Sequence, residues 1–261
     1  IETNPKTVIL LIENADDEIK DDLITQSINS AITLKNTKLL EYFFKKGSNL
    51  NGLLLRAIEK SNLQTVKTIL DYNQTPEFIN QIGPKGTALH EAIYFYKNDI
   101  IEYLLQLKGI DPSISVDSIQ TPLVEAVESN NLEAVELILK FYGDSIKDQS
   151  YQIHNAFNKI ISKQSRRIEE KKRNLNGHNF RFMFGRINNT ENEKKIFKLL
   201  VEVKKKLNPI NMIEDDLLSY AILEKDEKIV ENLIEIESTD LKRRLQNGDT
   251  YLHLAIDGSE I

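Results

Sequence analysis

The sequence predicts an all-α solenoid built from stacked pairs of short helices. Three observations carry that prediction. First, seven alanines share a frame: Ala31, Ala57, Ala92, Ala126, Ala156, Ala221 and Ala255 each follow a Leu or Ile by three residues, namely Ile28, Leu54, Leu89, Leu123, Ile153, Leu218 and Leu252. One helical turn separates the two, so both lie on one face, and the small alanine admits a neighbouring helix. Second, five of these alanines are followed at fixed distance by apolar residues. Leu40, Val66, Ile101, Val135 and Val230 come nine residues later, and Phe44, Leu70, Leu105, Leu139 and Ile234 thirteen later. Pairs such as Ile100-Ile101 and Leu104-Leu105 have the spacing of a buried helical stripe. Third, Gly-Pro-Lys-Gly at 83–86 and Asp-Pro-Ser at 111–113 are turn chemistry, too rich in helix breakers for a plain helix-to-helix link. Neither helix of a pair can bury its stripe alone, so the units must stack.

The elements follow in order. Residues 5–13 (PKTVILLIE) read as a second helix without its first. The first full pair carries Ile28 and Ala31, then Leu40 and Phe44. The step from Ala31 to Ala57 is 26 residues against a usual value near 34, so about the length of one projecting hairpin is missing after Lys45-Lys46-Gly47. Pairs around Ala57, Ala92 and Ala126 follow at steps of 35 and 34, with finger tips at Gly83-Pro84-Lys85 and Asp117–Gln120. The next first helix carries Ile153 and Ala156. Its partner, Lys194 to Leu200, arrives late, which places an insertion at residues 162–192 inside one repeat. A pair around Ala221 follows, and the last unit stops within its first helix after Ala255-Ile256. Six complete or expanded units between Asp22 and Ser259, with fragments at both ends, make residues 1–261 one repeat domain. The fragmentary ends lead us to expect a piece of a larger protein.

The entry to the first helix carries a family resemblance. Thr87-Ala88-Leu89-His90-Glu91-Ala92 and Gly248-Asp249-Thr250-Tyr251-Leu252-His253-Leu254-Ala255 resemble the ankyrin signature G-x-T-P-L-H-x-A. Thr121-Pro122-Leu123-Val124-Glu125-Ala126 keeps Thr-Pro-Leu and loses the His. Gln26, Gly52, Tyr151 and Asp216 stand where the signature Thr belongs. The resemblance implies an ankyrin-repeat solenoid whose function is protein binding. It also implies structural roles for His90, His253 and His154, with His178 left in an irregular segment. It places contacts at hairpin tips and at the positions two and three after each frame alanine. On the concave face these give Tyr94, Phe95, Glu128, Lys60, Lys85, Ile119 and Gln120 as candidate binding residues. Three consecutive aromatics, Tyr94-Phe95-Tyr96, cannot all face one side of a helix, so at least one is expected in solvent.

The insertion is the second candidate surface. Residues 162–190 hold eight Lys or Arg against two Glu, a net +6, whereas the whole chain is −6. Arg166, Arg167, Lys171, Lys172 and Arg173 lie on a stretch free of Gly and Pro. Phe180, Phe182 and Phe184 then alternate with Arg181 and Met183. Two readings stand: the phenylalanines cover a long helix and the charges are solvated, or the segment is a basic and aromatic contact for an acidic protein, an anionic lipid or nucleic acid.

Composition excludes several chemistries. Zero cysteines remove disulfides, thiolate metal sites and a cysteine nucleophile. No apolar run approaches 20 residues, and no signal peptide is visible. There is no phosphate-binding glycine loop, H-E-x-x-H pair or G-x-S-x-G elbow. Acidic runs such as Asp16-Asp17-Glu18 read as a solvated helix entry. The expectation is therefore a cytoplasmic protein-interaction module without catalysis, cofactor or metal. The Lys-, Ile- and Asn-rich composition and degenerate repeats fit a bacterial effector-type ankyrin protein acting in a host cytosol, or a protein of a unicellular eukaryote. The alternatives are the targeting region of a larger enzyme, or lipid or nucleic-acid binding through the insertion.

Overall fold

Apolar stripes on helices of two to three turns can lose water only against other helices, and the chain pairs them accordingly. The structure, a computed structural model, describes residues 5–48, 52–160, 163, 190–207 and 250–257, with isolated positions between 218 and 242. Two compact segments divide it, Ile1–Glu125 and Ala126–Ile261. Among the described residues it is helical apart from isolated bridge positions, one pairing Gly83 with Gly86.

In the N-terminal segment α1 (Pro5–Glu13) packs on α2 (Asp17–Thr33), and α2 on α3 (Thr37–Lys45). Next come α4 (Leu53–Lys60) with α5 (Leu63–Leu70), a short α6 (Pro76–Ile79), and α7 (Ala88–Tyr94) with α8 (Asn98–Leu105). First helices touch successive first helices, α2 to α4 to α7. Second helices do the same, α3 to α5 to α8. This is a solenoid register. The frame residues carry it: Ile28, Ala31, Leu54, Ala57, Leu89 and Ala92 are buried, as are Leu40, Val66 and Ile101.

The helix ends are as regular as the stripes. In α2, α7 and α9 (Pro122–Glu128) the residue four after the frame alanine is left-handed: Lys35, Tyr96 and Asn130, with φ of 57°, 55° and 61°. The following N–H returns to the alanine carbonyl, Asn36 to Ala31 at 2.8 Å, Lys97 to Ala92 at 2.9 Å and Asn131 to Ala126 at 2.9 Å. The left-handed residue itself bonds Ile32, Ile93 or Val127. Two such bonds form a Schellman close, which satisfies carbonyls left over at a helix end. The next residue then caps the second helix. Asn36, Asn62 and Asn131 each accept a backbone N–H three residues on, at 3.1–3.2 Å. Lys97 stands where the fourth Asn belongs and instead donates from Nζ to the Ser61 carbonyl at 2.7 Å.

One finger is drawn tight. Gly83 N–H donates to the Gly86 carbonyl at 2.9 Å and Gly86 N–H returns the bond at 3.1 Å, leaving Pro84-Lys85 as the tip. Gly86 has φ of +111°, and a Cβ there would lie 2.7 Å from the His90 ring, so only glycine fits. Asn80 ties this region to the next turn, donating to the Gly109 carbonyl at 2.8 Å and accepting from Asp111 N–H at 3.0 Å.

In the C-terminal segment α10 (Leu132–Tyr142) runs into a 3₁₀ turn (Gly143–Gln149) and α11 (150–160). After a long interval α12 (Thr190–Leu207) packs on α10, and α13 (Tyr251–Asp257) closes the described residues. Phe157 of α11 stacks on Phe197 of α12, centroids 5.8 Å apart. Lys163 pairs with the buried Glu193 at 3.0 Å and donates to the Glu128 carbonyl at 3.1 Å. Residues far apart in sequence are thus held side by side.

Three frame expectations need correction. Leu139 is only half-buried, while Ile138 before it is fully buried. Phe43, Ile69, Leu104 and Ile138 are all essentially solvent-free, and of the expected positions beside them Leu70 is equally buried while Phe44, Leu105 and Leu139 sit towards the stripe's edge. Ile234 and Leu252 are exposed, at 45% and 69%. A stripe residue leaves water only where another helix is laid across it.

Candidate functional site

The end of α7 gathers charge and aromatic surface. The cap residue Thr87 starts the helix in an extended conformation. Glu91, Tyr94 and Phe95 follow at i, i+3 and i+4, the spacing that puts side chains on one face. Tyr94 is 51% exposed and Phe95 half-buried, their rings edge-to-face with centroids 5.1 Å apart and planes at 84°. The tight finger delivers Lys85 onto both. Its Nζ lies 3.9 Å from the Tyr94 centroid and 4.2 Å from that of Phe95. A cation over ring faces at that range is attracted by the aromatic quadrupole.

Two carboxylates complete the setting. Glu91 is 6% exposed. Burial pushes its carboxyl above the ordinary range, the Lys85 ammonium pulls it back, and the Glu59 carboxylate raises it again. Glu59, on α4, pairs with Lys60 at 2.7 Å; that bond leads the causes holding Glu59 below its usual value, and Lys85 and Arg56 add to it. Tyr96, in its left-handed closing position, is 54% exposed. The expected exposure of the aromatic run therefore falls on two tyrosines. On the same segment a cleft of about 580 Å³ lies among α1, α2 and α3, lined by Ile12, Glu13, Tyr42 and Phe43 and spanned by the Tyr42 hydroxyl donating to Glu13 at 2.7 Å.

The remaining candidate residues separate. Lys60 and Lys85 stand exposed in the N-terminal segment, and Ile119 is exposed at the second finger. Gln120 is engaged internally: its carbonyl faces His90 Nε2 at 3.0 Å, its N–H donates to Asp117 at 2.8 Å and its side-chain amide to Glu125 at 2.6 Å. Glu128 belongs to the C-terminal segment, where it pairs with Lys159 at 2.9 Å. Arg166, Arg167, Lys171, Lys172, Arg173, Phe180, Phe182, Phe184 and His178 lie outside the described residues. Sequence reasoning missed Glu91 and Lys97, whose only signal was a charged residue at a buried or capping slot of the frame.

The histidines show why the signature has its form. His90 Nδ1 accepts the Thr87 backbone N–H at 3.2 Å and lies 2.9 Å from the Thr87 hydroxyl. That fixes the proton on Nε2, which donates to the Gln120 carbonyl. One neutral ring thus joins the helix entry to the next finger. His253 repeats the local half with Thr250, at 3.2 and 2.7 Å, but is exposed. His154 is turned the other way and meets Asn158 at 2.9 Å.

This helix-pair register, with its Thr–His entry, is matched by a known family. Residues 53–150 match the family described as ankyrin repeats, in three copies. Residues 53–150 are a run of ankyrin repeats. A human relative, transient receptor potential cation channel subfamily A member 1, is 29% identical over 105 residues, covering 38% of this chain and 9% of that protein. The chain therefore spans less than a tenth of the curated relative it matches. Ankyrin repeats are in general protein-interaction modules. No helix among the described residues is long and apolar enough to cross a membrane. Nor is there, among those residues, a cluster of His, Asp or Glu arranged to hold a metal ion.

Proposed function

We propose that the chain binds a partner protein through the end of α7 and the neighbouring finger, with Lys60, Lys85, Tyr94 and Phe95 as contacts and Tyr96 beside them. The observation that supports this most is the pair of half-exposed tyrosines at the close of one helix. Exposed rigid aromatics supply large contact area at small entropic cost and anchor interfaces. Ile119 extends the surface along the second finger, and Glu128 offers a contact on the C-terminal segment. The human relative's name describes a cation channel; what is carried over to this chain is the binding role of the repeats. The reading holds equally if the chain is the targeting part of a larger enzyme. A cysteine-free chain is suited to the cytoplasm, and we place it there.

The basic insertion is the competing surface, favoured by its charge of +6 in a chain of −6. Affinity capture followed by mass spectrometry, then titration of the captured partner, decides between them. Loss of binding in Tyr94→Ala with retention in Arg166/Arg167/Lys171/Lys172→Glu supports the α7 surface. The opposite pattern moves the site to the insertion. A steep fall in affinity with salt, confined to the parent and absent from the Glu variant, would point to phosphate-bearing lipid or nucleic acid.

A further inference from the structure

We propose that Tyr94 and Phe95, with Glu91 and Glu59 alongside, form a receptor site for a cationic side chain of the partner, and that Lys85 occupies it as an internal competitor. This deepens the binding role proposed above and rests on it. Two rings set nearly at right angles present their surfaces to one point, and an ammonium already sits there, 3.9 and 4.2 Å from the two centroids. The site is thus shown to accept a positive charge. Its surroundings select for one: Glu91 lies one turn before the rings on the same helix and is nearly removed from water. The Lys85 ammonium is felt by both Glu91 and Glu59. Over residues 1–125 the chain has 12 Lys and Arg against 17 Asp and Glu, so the wider field also favours a basic partner.

The occupant is built to leave. Lys85 reaches the rings through four methylenes from a two-residue tip, and Tyr94 remains half in solvent. Withdrawal of the side chain breaks no backbone bond and exposes both rings. A lysine or arginine of the partner would replace like with like, and Lys85 would then be freed to pair with acidic groups brought in beside it. An internal competitor lowers apparent affinity by the fraction of time the site is closed. An exposed cation–π contact is closed for most of the time, so its removal should raise affinity about three- to fivefold.

The test is a titration of the full chain with tetramethylammonium chloride, against sodium chloride at equal ionic strength, followed by the ring resonances of Tyr94 and Phe95. Lys85→Ala should bind tetramethylammonium about three- to fivefold more tightly than the parent. Arg56→Ala, the same change of charge near Glu59 but off the rings, should differ from the parent by less than about twofold. Lys85→Ala/Tyr94→Leu should lose the effect while keeping the parent's unfolding curve. The proposal is overturned if Lys85→Ala gains no more than Arg56→Ala, or if the double variant binds as well as Lys85→Ala. Those results leave the partner-capture experiment untouched. Conversely, a clear gain in Lys85→Ala with partner capture indifferent to Tyr94→Ala would keep the cation site and remove the protein-binding role assigned to it.

Discussion

Tyr96 offers a measurement in which the backbone can be separated from the side chain. It holds the left-handed position of a Schellman close, with φ of 55°. A side chain in that conformation brings Cβ against the following carbonyl, at a cost of roughly 1–2 kcal/mol. Glycine avoids the cost but loses about 0.5–1 kcal/mol of unfolded-state advantage. Removing the ring also forfeits its packing, since 54% of the residue is exposed and the rest is covered. Comparing Tyr96→Gly with Tyr96→Ala cancels that packing loss, because both lack the ring. In an ordinary helix Ala is better than Gly by about 1 kcal/mol. Here the order should reverse, with Tyr96→Gly more stable than Tyr96→Ala by about 1 kcal/mol in urea unfolding. Lys35 has φ of 57° and should show the same reversal. Ser61, with φ of −124° at the same place in its repeat, should not. Equal stability of the two Tyr96 variants, or a preference for Ala, would refute the assignment of backbone strain to this close.

Three further outcomes are expected. Leu104→Ala, at the centre of the α8 stripe, should cost about 2–5 kcal/mol in denaturant unfolding, with Leu105→Ala at the lower end because Leu105 lies at the stripe's edge. His90 is held neutral by burial, its pKa below the ordinary 6.5. The unfolded chain then binds a proton that the folded chain refuses, so stability should be full above about pH 6.5 and fall as the pH drops towards the folded value. His90→Gln should be less stable at pH 7.5 and show a shallower decline down to pH 5.5, read from unfolding curves across that range. Lys163→Ala leaves Glu193 buried without that ammonium and should cost about 1–3 kcal/mol, whereas Lys195→Ala, whose pair with Glu191 is exposed, should stay within about 0.5 kcal/mol.

The stacking register was legible in the sequence because every repeat must bury the same stripe. Leu54, Ala57, Leu89 and Ala92 are indistinguishable in burial, and their spacing announces them. The helix ends were written in the same frame but more quietly. Asn36, Asn62 and Asn131 recur five residues after the alanine, and a cap is a local hydrogen bond that leaves no periodic trace. Lys97 breaks that series, and its reach to the Ser61 carbonyl depends on a neighbouring repeat that spacing alone does not position. Tyr94 and Lys85 were each visible as a candidate contact, one by its place after Ala92 and the other by its finger. That they meet is a consequence of finger length and of Gly86, whose conformation turns the tip back onto α7. The burial of Glu91 was hidden, since the signature leaves that position free. His154 shows the reverse limit: it fills the His slot, yet without a Thr three residues earlier its ring finds Asn158 instead.

The tail of α7 departs from its neighbours in a way that separates folding from recognition. After Ala126 the chain places Asn130 in the left-handed position and Asn131 at the cap, both residues suited to their tasks. After Ala92 it places Tyr96 and Lys97. The second substitution is compensated within the fold, because Lys97 trades a cap for a bond to Ser61 at 2.7 Å. The first imposes backbone strain and leaves more than half of an aromatic residue in water. Residues that violate a local preference tend to mark function rather than stability. Tyr96→Asn copies the solution found at Asn130, and asparagine tolerates the left-handed region well. We therefore expect Tyr96→Asn to unfold within about 1 kcal/mol of the parent while binding the captured partner at least about tenfold more weakly, a loss typical of an aromatic anchor. Chemical denaturation and calorimetric titration on the same preparation read both quantities. Unchanged affinity would show that the ring is kept for packing and would confine the contact to Tyr94 and Phe95. A large loss of stability would show that the covered part of the ring outweighs the strain of its backbone.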